Sequence, residues 1–243
     1  MSARSGTQPH ADQPSTRSIR EVDRIADRYV DECVARYPET ATYLGIPDHD
    51  DSWSDYSPSG LADRIAHVRQ TIAALHTAAP CDERETTAKE AMLERLGMEV
   101  ELHDAHITAS RVSVIAGQAQ EIRAIFDLMP TDSEDAWRNI TARLHTVQQP
   151  LSQVRETLSA EARDGNISAV RQIVGTTDQI RSWTGETGDD DFFAALVARA
   201  PDREALKADL SAAADEARQA FSHFADWLET SLAPLAPSLD AVG

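Results

Sequence analysis

Carboxylate and imidazole come closest together in the stretch that holds Glu99, His103 and His106. On a helix His103 lies one turn from each of the other two. Such a group can bind a transition metal through ring nitrogen and carboxylate oxygen. The spacing departs from the zinc helix of hydrolases, where two histidines stand four apart and a glutamate directly follows the first. Here Asp104 follows His103. The plainer expectation is structural: His103 partly buried and bonded to a neighbour, His106 at the surface.

Other reactive patterns are missing from the sequence. It has no G-x-S-x-G nucleophile elbow, no G-x-x-x-x-G-K-S/T phosphate loop and no G-x-G-x-x-G. It lacks the paired Glu-x-x-His of a di-iron bundle. Asp48-His49-Asp50-Asp51 carries Trp53 where a calcium loop requires glycine, so it is expected to be a solvated acidic loop pinned by Trp53 and Tyr56. Asp189-Asp190-Asp191 suits the positive end of a helix dipole rather than a cation site. Trp53, Trp137, Trp183 and Trp227 are expected in the core or at its rim. No catalytic and no cofactor-binding residue is assigned on these grounds. The metal candidates remain Glu99, His103 and His106.

These residues must be positioned by helices. Leu93, Leu96, Val100, His103 and Ile107 recur at steps of three and four, which predicts a helix between Asp82 and Ile107. Ser18 and Glu21 read as a capping box for a first helix reaching Tyr37. Its apolar stripe is Ile19, Val22, Ile25, Tyr29 and Cys33, and Pro38 ends it. Pro38 to Gly45 reads as a short helical turn stopped by glycine.

Ser57-Pro58 opens the next helix, with His67 and His76 placed off its buried stripe and at the surface. Asp82 with Glu85, and Thr131 with Glu134, read as further capping boxes. The pattern lapses from Ser110 to Gln118, where Val112, Val114 and Ile115 suggest a short extended or irregular crossing. Helices then run through Ile122–Met129, Trp137–Leu144, Leu151–Leu158 and Val170–Trp183, the last with Gly175 as a weak point. A short helix from Phe192 and a long one after Pro201 complete the chain. The expectation is an all-α fold, a bundle of roughly eight or nine antiparallel helices without a significant sheet.

Composition agrees. The 243 residues are 41% hydrophobic, enough for a real core, and aromatics are sparse at 5%. The net charge of −18 argues against nucleic-acid and anionic-membrane partners, which would repel an acidic surface. Two cysteines, Cys33 and Cys81, suggest free thiols in a reducing compartment. No apolar run approaches a membrane span. Residues 1–17 lack a signal-peptide core and read as a disordered tail before a domain over 18–243; the expected location is cytoplasmic.

Three segments carry a family resemblance: "PETATYLG" at Pro38–Gly45, "VIAGQAQEIRAIFDLMPTDSEDAWRNITAR" at Val114–Arg143, and the late "FADWLETSLAPLAP". Together they resemble the N-terminal half of the bacterial family called domain of unknown function 885. The resemblance runs from about Ile19 to Gly243. It implies a gluzincin-type zinc-peptidase architecture with a helical fold like thimet oligopeptidase. In that family the H-E-x-x-H helix and its zinc belong to the C-terminal half. None of the eight histidines here precedes a glutamate, so no catalytic role carries over to any position.

The resemblance therefore implies a non-catalytic helical half, one wall of a peptide cleft, inactive alone, with no cofactor of its own. The missing C-terminal half is its expected partner, and a peptide the expected substrate of the complete protein. A stand-alone helical binding or interaction protein without enzymatic activity is the alternative. An inner face left unusually apolar is a further expectation of the first reading.

Overall fold

The computed structural model describes residues 20–188 and 191–237. The expected tail over 1–17, Ser18 and Asp189-Asp190 lie outside the described residues. Ten α-helices follow one another there. They are α1 (Glu21–Arg36), α2 (Pro38–Leu44), α3 (Pro58–Thr77), α4 (Glu83–Asp104), α5 (Gln118–Leu128), α6 (Glu134–Thr146), α7 (Gln148–Arg163), α8 (Val170–Trp183), α9 (Phe192–Ala198) and α10 (Glu204–Trp227). A π-helical turn at Leu228–Leu232 and a 3-10 turn at Ala233–Leu235 close the described chain. The described residues contain no strand, only an isolated antiparallel bridge between Thr184 and Asp191. The fold is all-α.

Two apolar clusters form the interior. The larger joins α5 to α10 around Phe126, Ile140, Ile173, Phe193 and Phe221. At its centre is α10, whose buried Ala213, Ala214, Ala217 and Ala220 leave room for α6, α8 and α9 to pack closely. The smaller gathers Val22, Ile25, Val68, Leu75 and Leu96 from α1, α3 and α4. The segment from α2 to the start of α3 bridges the two, because Trp53 and Tyr56 pack on the larger cluster.

Several local expectations shift by a residue or a role. Ser133, not Thr131, caps α6 by accepting the Ala136 N–H at 3.1 Å, while the Thr131 carbonyl accepts from the Trp137 indole. Asp82 does cap α4, accepting the Glu85 N–H at 2.9 Å. Glu85 does not reach back to Asp82. It is fully buried and accepts the N–H groups of Val22 and Cys81, so it joins α4 to α1. Gly175 does not break α8. A Cβ there would stand 2.7 Å from the Val114 side chain, so the glycine lets the 110–117 crossing lie against the helix. That crossing is irregular rather than extended, held by Ser168, Gln172 and Gln179.

Two polar expectations are corrected. His67 is buried at 3% exposure, not at the surface: its ring stacks on Tyr29 and pairs with Glu32 at 2.6 Å. The Asp48–Asp51 loop is not simply solvated. Asp50 is buried, accepts the Thr42 hydroxyl at 2.5 Å, and lies 3.9 Å from the Arg143 guanidinium. The expectations from sequence gave Arg143 no role. It has no exposed surface at all, and it sits three residues after core Ile140 on the inward face of α6.

A buried guanidinium must fill its donors or cost several kcal/mol, so its partners explain the loop's shape. Arg143 donates to the Ser52 carbonyl at 3.0 Å, the Thr42 hydroxyl at 3.0 Å and the His49 carbonyl at 3.2 Å.

Candidate groove between α2, α3, α4 and α5

Glu99 and His103, at the edge of the α4 stripe, line a groove of about 500 Å³. Five segments position its acidic and aromatic walls. Proline at the first position starts α2, and Gly45, at φ 68°, stops it after two turns. That brings Tyr37, Glu39, Thr40 and Tyr43 to one side. The Ser54–Tyr56 strap crosses the end, Arg64 of α3 and Glu99 and His103 of α4 form the floor, and Gln118 and Glu121 open α5 on the far side.

Glu39 organises the strap. Its carboxylate is buried and accepts the Ser54 N–H, the Ser54 hydroxyl and the Tyr56 hydroxyl. Burial and the nearby Glu39 charge push the Tyr56 phenol well above its ordinary range, so Tyr56 stays a donor. Across the floor, the Arg64 guanidinium binds Glu99 at 2.9 Å and lies over the Tyr37 ring, 5.1 Å from its centroid. On the far side Arg111 binds Glu121 at 3.1 Å. Burial raises the Glu121 carboxyl; Arg111 and Arg64 pull it back and Glu39 pushes it further up.

The three metal candidates do not converge. Glu99 and His103 line the groove, Glu99 being held by Arg64. His106 follows the end of α4 in the left-handed region, at φ 59°, and pairs with Glu161 of α7 at 2.9 Å. Ile107, expected on the buried stripe, is half exposed because the chain has already turned. Among the described residues no three His, Cys, Asp or Glu side chains are grouped to hold a metal ion.

Sequence reasoning missed Arg64, Arg111, Glu39, Glu121 and Gln118 as groove residues. Arg64 offered a signal, standing three residues after Leu61 and beside the α3 stripe; for Arg111, in an irregular segment, and Gln118, at the first position of α5, there was none.

The family model described as "Bacterial protein of unknown function (DUF885)" matches residues 38–243. No curated protein matches the chain. Among solved structures it is similar to "a putative lipoprotein of unknown function" from Shewanella oneidensis, with TM-score 0.66 and 18% identity over 88% of this chain. It is also similar to a "putative lipoprotein" from Colwellia psychrerythraea, with TM-score 0.68 and 14% identity over 90% of this chain. These likenesses concern the fold. The chain spans 38% and 43% of those two proteins' lengths. No helix of the described residues is long and apolar enough to cross a membrane.

Proposed function

This chain belongs to the bacterial family of unknown function DUF885, and from that premise we propose that it is the non-catalytic helical wall of a substrate cleft in a zinc-peptidase-like protein. The observation that carries the reading is the groove. It is concave, its volume falls within the range of ligand sites, and it combines aromatic rings with a few fixed polar groups. Its lining residues Tyr43, Asp55, Arg64 and Arg111 are exposed, as a wall awaiting an opposing surface would require. A zinc hydrolase needs protein ligands, an open coordination position and a base for water. The groove's own residues supply binding and orientation, so hydrolysis and zinc fall to a C-terminal half, the chain's proposed partner.

The alternative, a stand-alone helical binding protein, draws on a different observation. The large exposed apolar side chains are distributed over many elements: Val30 on α1, Leu44 on α2, Met98 on α4, Ile115 in the crossing, Leu128 on α5 and Val174 on α8. A face stripped of a large apolar partner would gather them.

The test uses the 243-residue chain with the neutral peptide N-acetyl-tetra-alanine amide. Metal analysis and a peptidase assay are expected to give no stoichiometric zinc and no hydrolysis. NMR titration is expected to move resonances of Tyr37, Thr40, Tyr56 and Leu61. One tightly bound zinc per chain with chelator-sensitive hydrolysis overturns the proposal, as do shifts confined to surfaces away from the groove.

A further inference from the structure

Behind the groove, where the 110–117 crossing meets α5 and α8, a second and much smaller cavity is bordered by Gln118, Gln120 and Thr176. Each of these side chains has a buried oxygen with no hydrogen-bond partner among the described residues: Gln118 Oε1, Gln120 Oε1 and Thr176 Oγ1. Buried polar atoms in folded proteins are nearly always partnered, so three such oxygens on residues around one cavity require a cause. The rest of the wall offers no donor to them. Leu158 and Phe224 are apolar, and the Arg111 guanidinium already binds Glu121.

Neighbouring contacts explain why these oxygens are left over. Gln120 donates from its Nε2 to Gln179 Oε1 at 2.9 Å, and Gln179 donates in turn to the Val114 carbonyl. That chain of donors fixes the Gln120 amide with its oxygen as the free end. The oxygen comes up against Gly117, itself part of the cavity wall, so closely that a Cβ there would stand 2.6 Å from it. Thr176 is 1% exposed and its hydroxyl does not bond its own helix, whereas the adjacent Thr177 returns its hydroxyl to the Ile173 carbonyl at 2.9 Å.

Size and chemistry select the occupant. The cavity has a volume of about 10 Å³, close to what a single water needs and too little for a larger ligand. A cation would meet only neutral oxygens beside the Arg111 guanidinium. The two amide oxygens can only accept, whereas the threonine hydroxyl can donate. A water donates twice and accepts as well, so one molecule serves all three.

We propose that this cavity is the binding site of one structural water, which donates to Gln118 Oε1 and Gln120 Oε1 and accepts from the Thr176 hydroxyl. The water joins the first turn of α5 to α8 beside the irregular crossing. Arg111 and Gln118 border both the cavity and the groove, so the water steadies the groove wall from behind. This holds whatever the groove binds.

The experiment is a high-resolution crystal structure of the 243-residue chain, with Thr176→Val as the comparison because valine keeps the shape and removes the hydroxyl. The wild type is expected to show one water peak within about 2.5–3.2 Å of all three oxygens. In Thr176→Val that peak is expected to be lost or clearly weakened. Oxygen-17 relaxation dispersion in solution is expected to report one long-lived water fewer in the variant. A dry wild-type cavity overturns the proposal. So does a Gln118 amide turned to donate directly to Gln120, an Arg111 guanidinium bonded to these oxygens, or a water that touches only one of them. A water at full occupancy in Thr176→Val overturns the three-oxygen site. The wild-type structure decides the matter even where the variant fails to fold.

Discussion

The indole N–H of Trp53 donates to the main-chain carbonyl of Arg143 at 3.2 Å, and the Arg143 guanidinium lies 5.3 Å from the centroid of a Trp53 ring. The two residues are 90 apart in sequence, and the pairing fastens the loop after α2 to the inward face of α6. Thr42, His49 and Ser52 complete the anchor, so one side chain ties α2 and two points of the loop. This gives the PETATYLG segment its physical sense: it seats Thr42 against Arg143 and Glu39 against the strap that lines the groove.

Arg143→Met is therefore expected to destabilise the protein strongly, by about 3–5 kcal/mol, because it leaves buried Asp50 without its countercharge and the Ser52 and His49 carbonyls without their donor. Burial already lowers the Arg143 pKa, a mark of how poorly the site tolerates charge that is not matched. Arg143→Lys should recover part of the loss, since an ammonium keeps the charge but not the planar fork. Urea unfolding measures both. An unchanged midpoint in Arg143→Met would remove the anchor role.

Glu85 predicts an acid limb. Withdrawal from water raises its carboxyl, but hydrogen bonds from Cys81, Asp23 and Val22 outweigh that and hold it below the ordinary 4.5. A group depressed in the folded state stabilises above its unfolded pKa and loses that contribution as pH falls through the folded value. Glu85→Gln should lower the thermal midpoint at neutral pH, with the gap to wild type closing as pH drops below about 4.5. A gap independent of pH would mean the carboxylate charge contributes nothing.

Much of this was legible in the sequence and part was not, for definable reasons. The apolar period marked nearly every helix, because burial of one face is what fixes a helix in place. Ser57 as a cap and Gly45 as a stop were readable because their geometry is local. Buried polar groups were not readable: His67, Glu85 and Arg143 find partners across 35, 63 and about 100 residues, which helical periodicity does not announce. For Arg143 one clue existed, a charge three residues beyond Ile140 on an otherwise apolar face. The groove was half visible. Glu99 and His103 were placed one turn apart and both line it, but Arg111 reaches it from within an irregular crossing, and Gln118 and Glu121 from beyond one, whose path no periodicity describes.

His145 predicts the opposite pH limb. It bridges α6 to α10, pairing with Glu216 at 2.7 Å and Asp209 at 3.3 Å. The Glu216 hydrogen bond raises its pKa above the ordinary 6.5; burial opposes that rise less strongly, and Asp209 adds to it. A group raised in the folded state contributes fully below its unfolded pKa and loses that contribution as pH rises through the folded value. His145→Gln should therefore cost most stability at about pH 6 and progressively less toward about pH 9. The site is largely open to solvent, so high salt should shrink the effect. Denaturant midpoints across that range check it, and a constant difference would exclude the ion pair as its cause.

Two glycines inside helices should respond in opposite ways to the same substitution. Gly97 lies within α4, and a Cβ there meets no atom within 4 Å. Gly97→Ala gains helix propensity without a clash and should stabilise by about 0.8–1 kcal/mol. Gly175 lies within α8, where the added Cβ would stand 2.7 Å from Val114 Cγ1. Valine is branched at that carbon's root and has little rotameric freedom to retreat. The 110–117 crossing would have to move away, disturbing the hydrogen bond from Val114 N–H to Gln172 and the one from Gln179 to the Val114 carbonyl. Gly175→Ala should thus fail to stabilise despite the same gain in propensity. Because Arg111 lies in that crossing and Gln118 directly follows it, it should also weaken peptide binding in the groove, which Gly97→Ala should leave unchanged. Parallel urea unfolding of the two variants separates the effects, and equal stabilisation by both would show that the crossing yields freely.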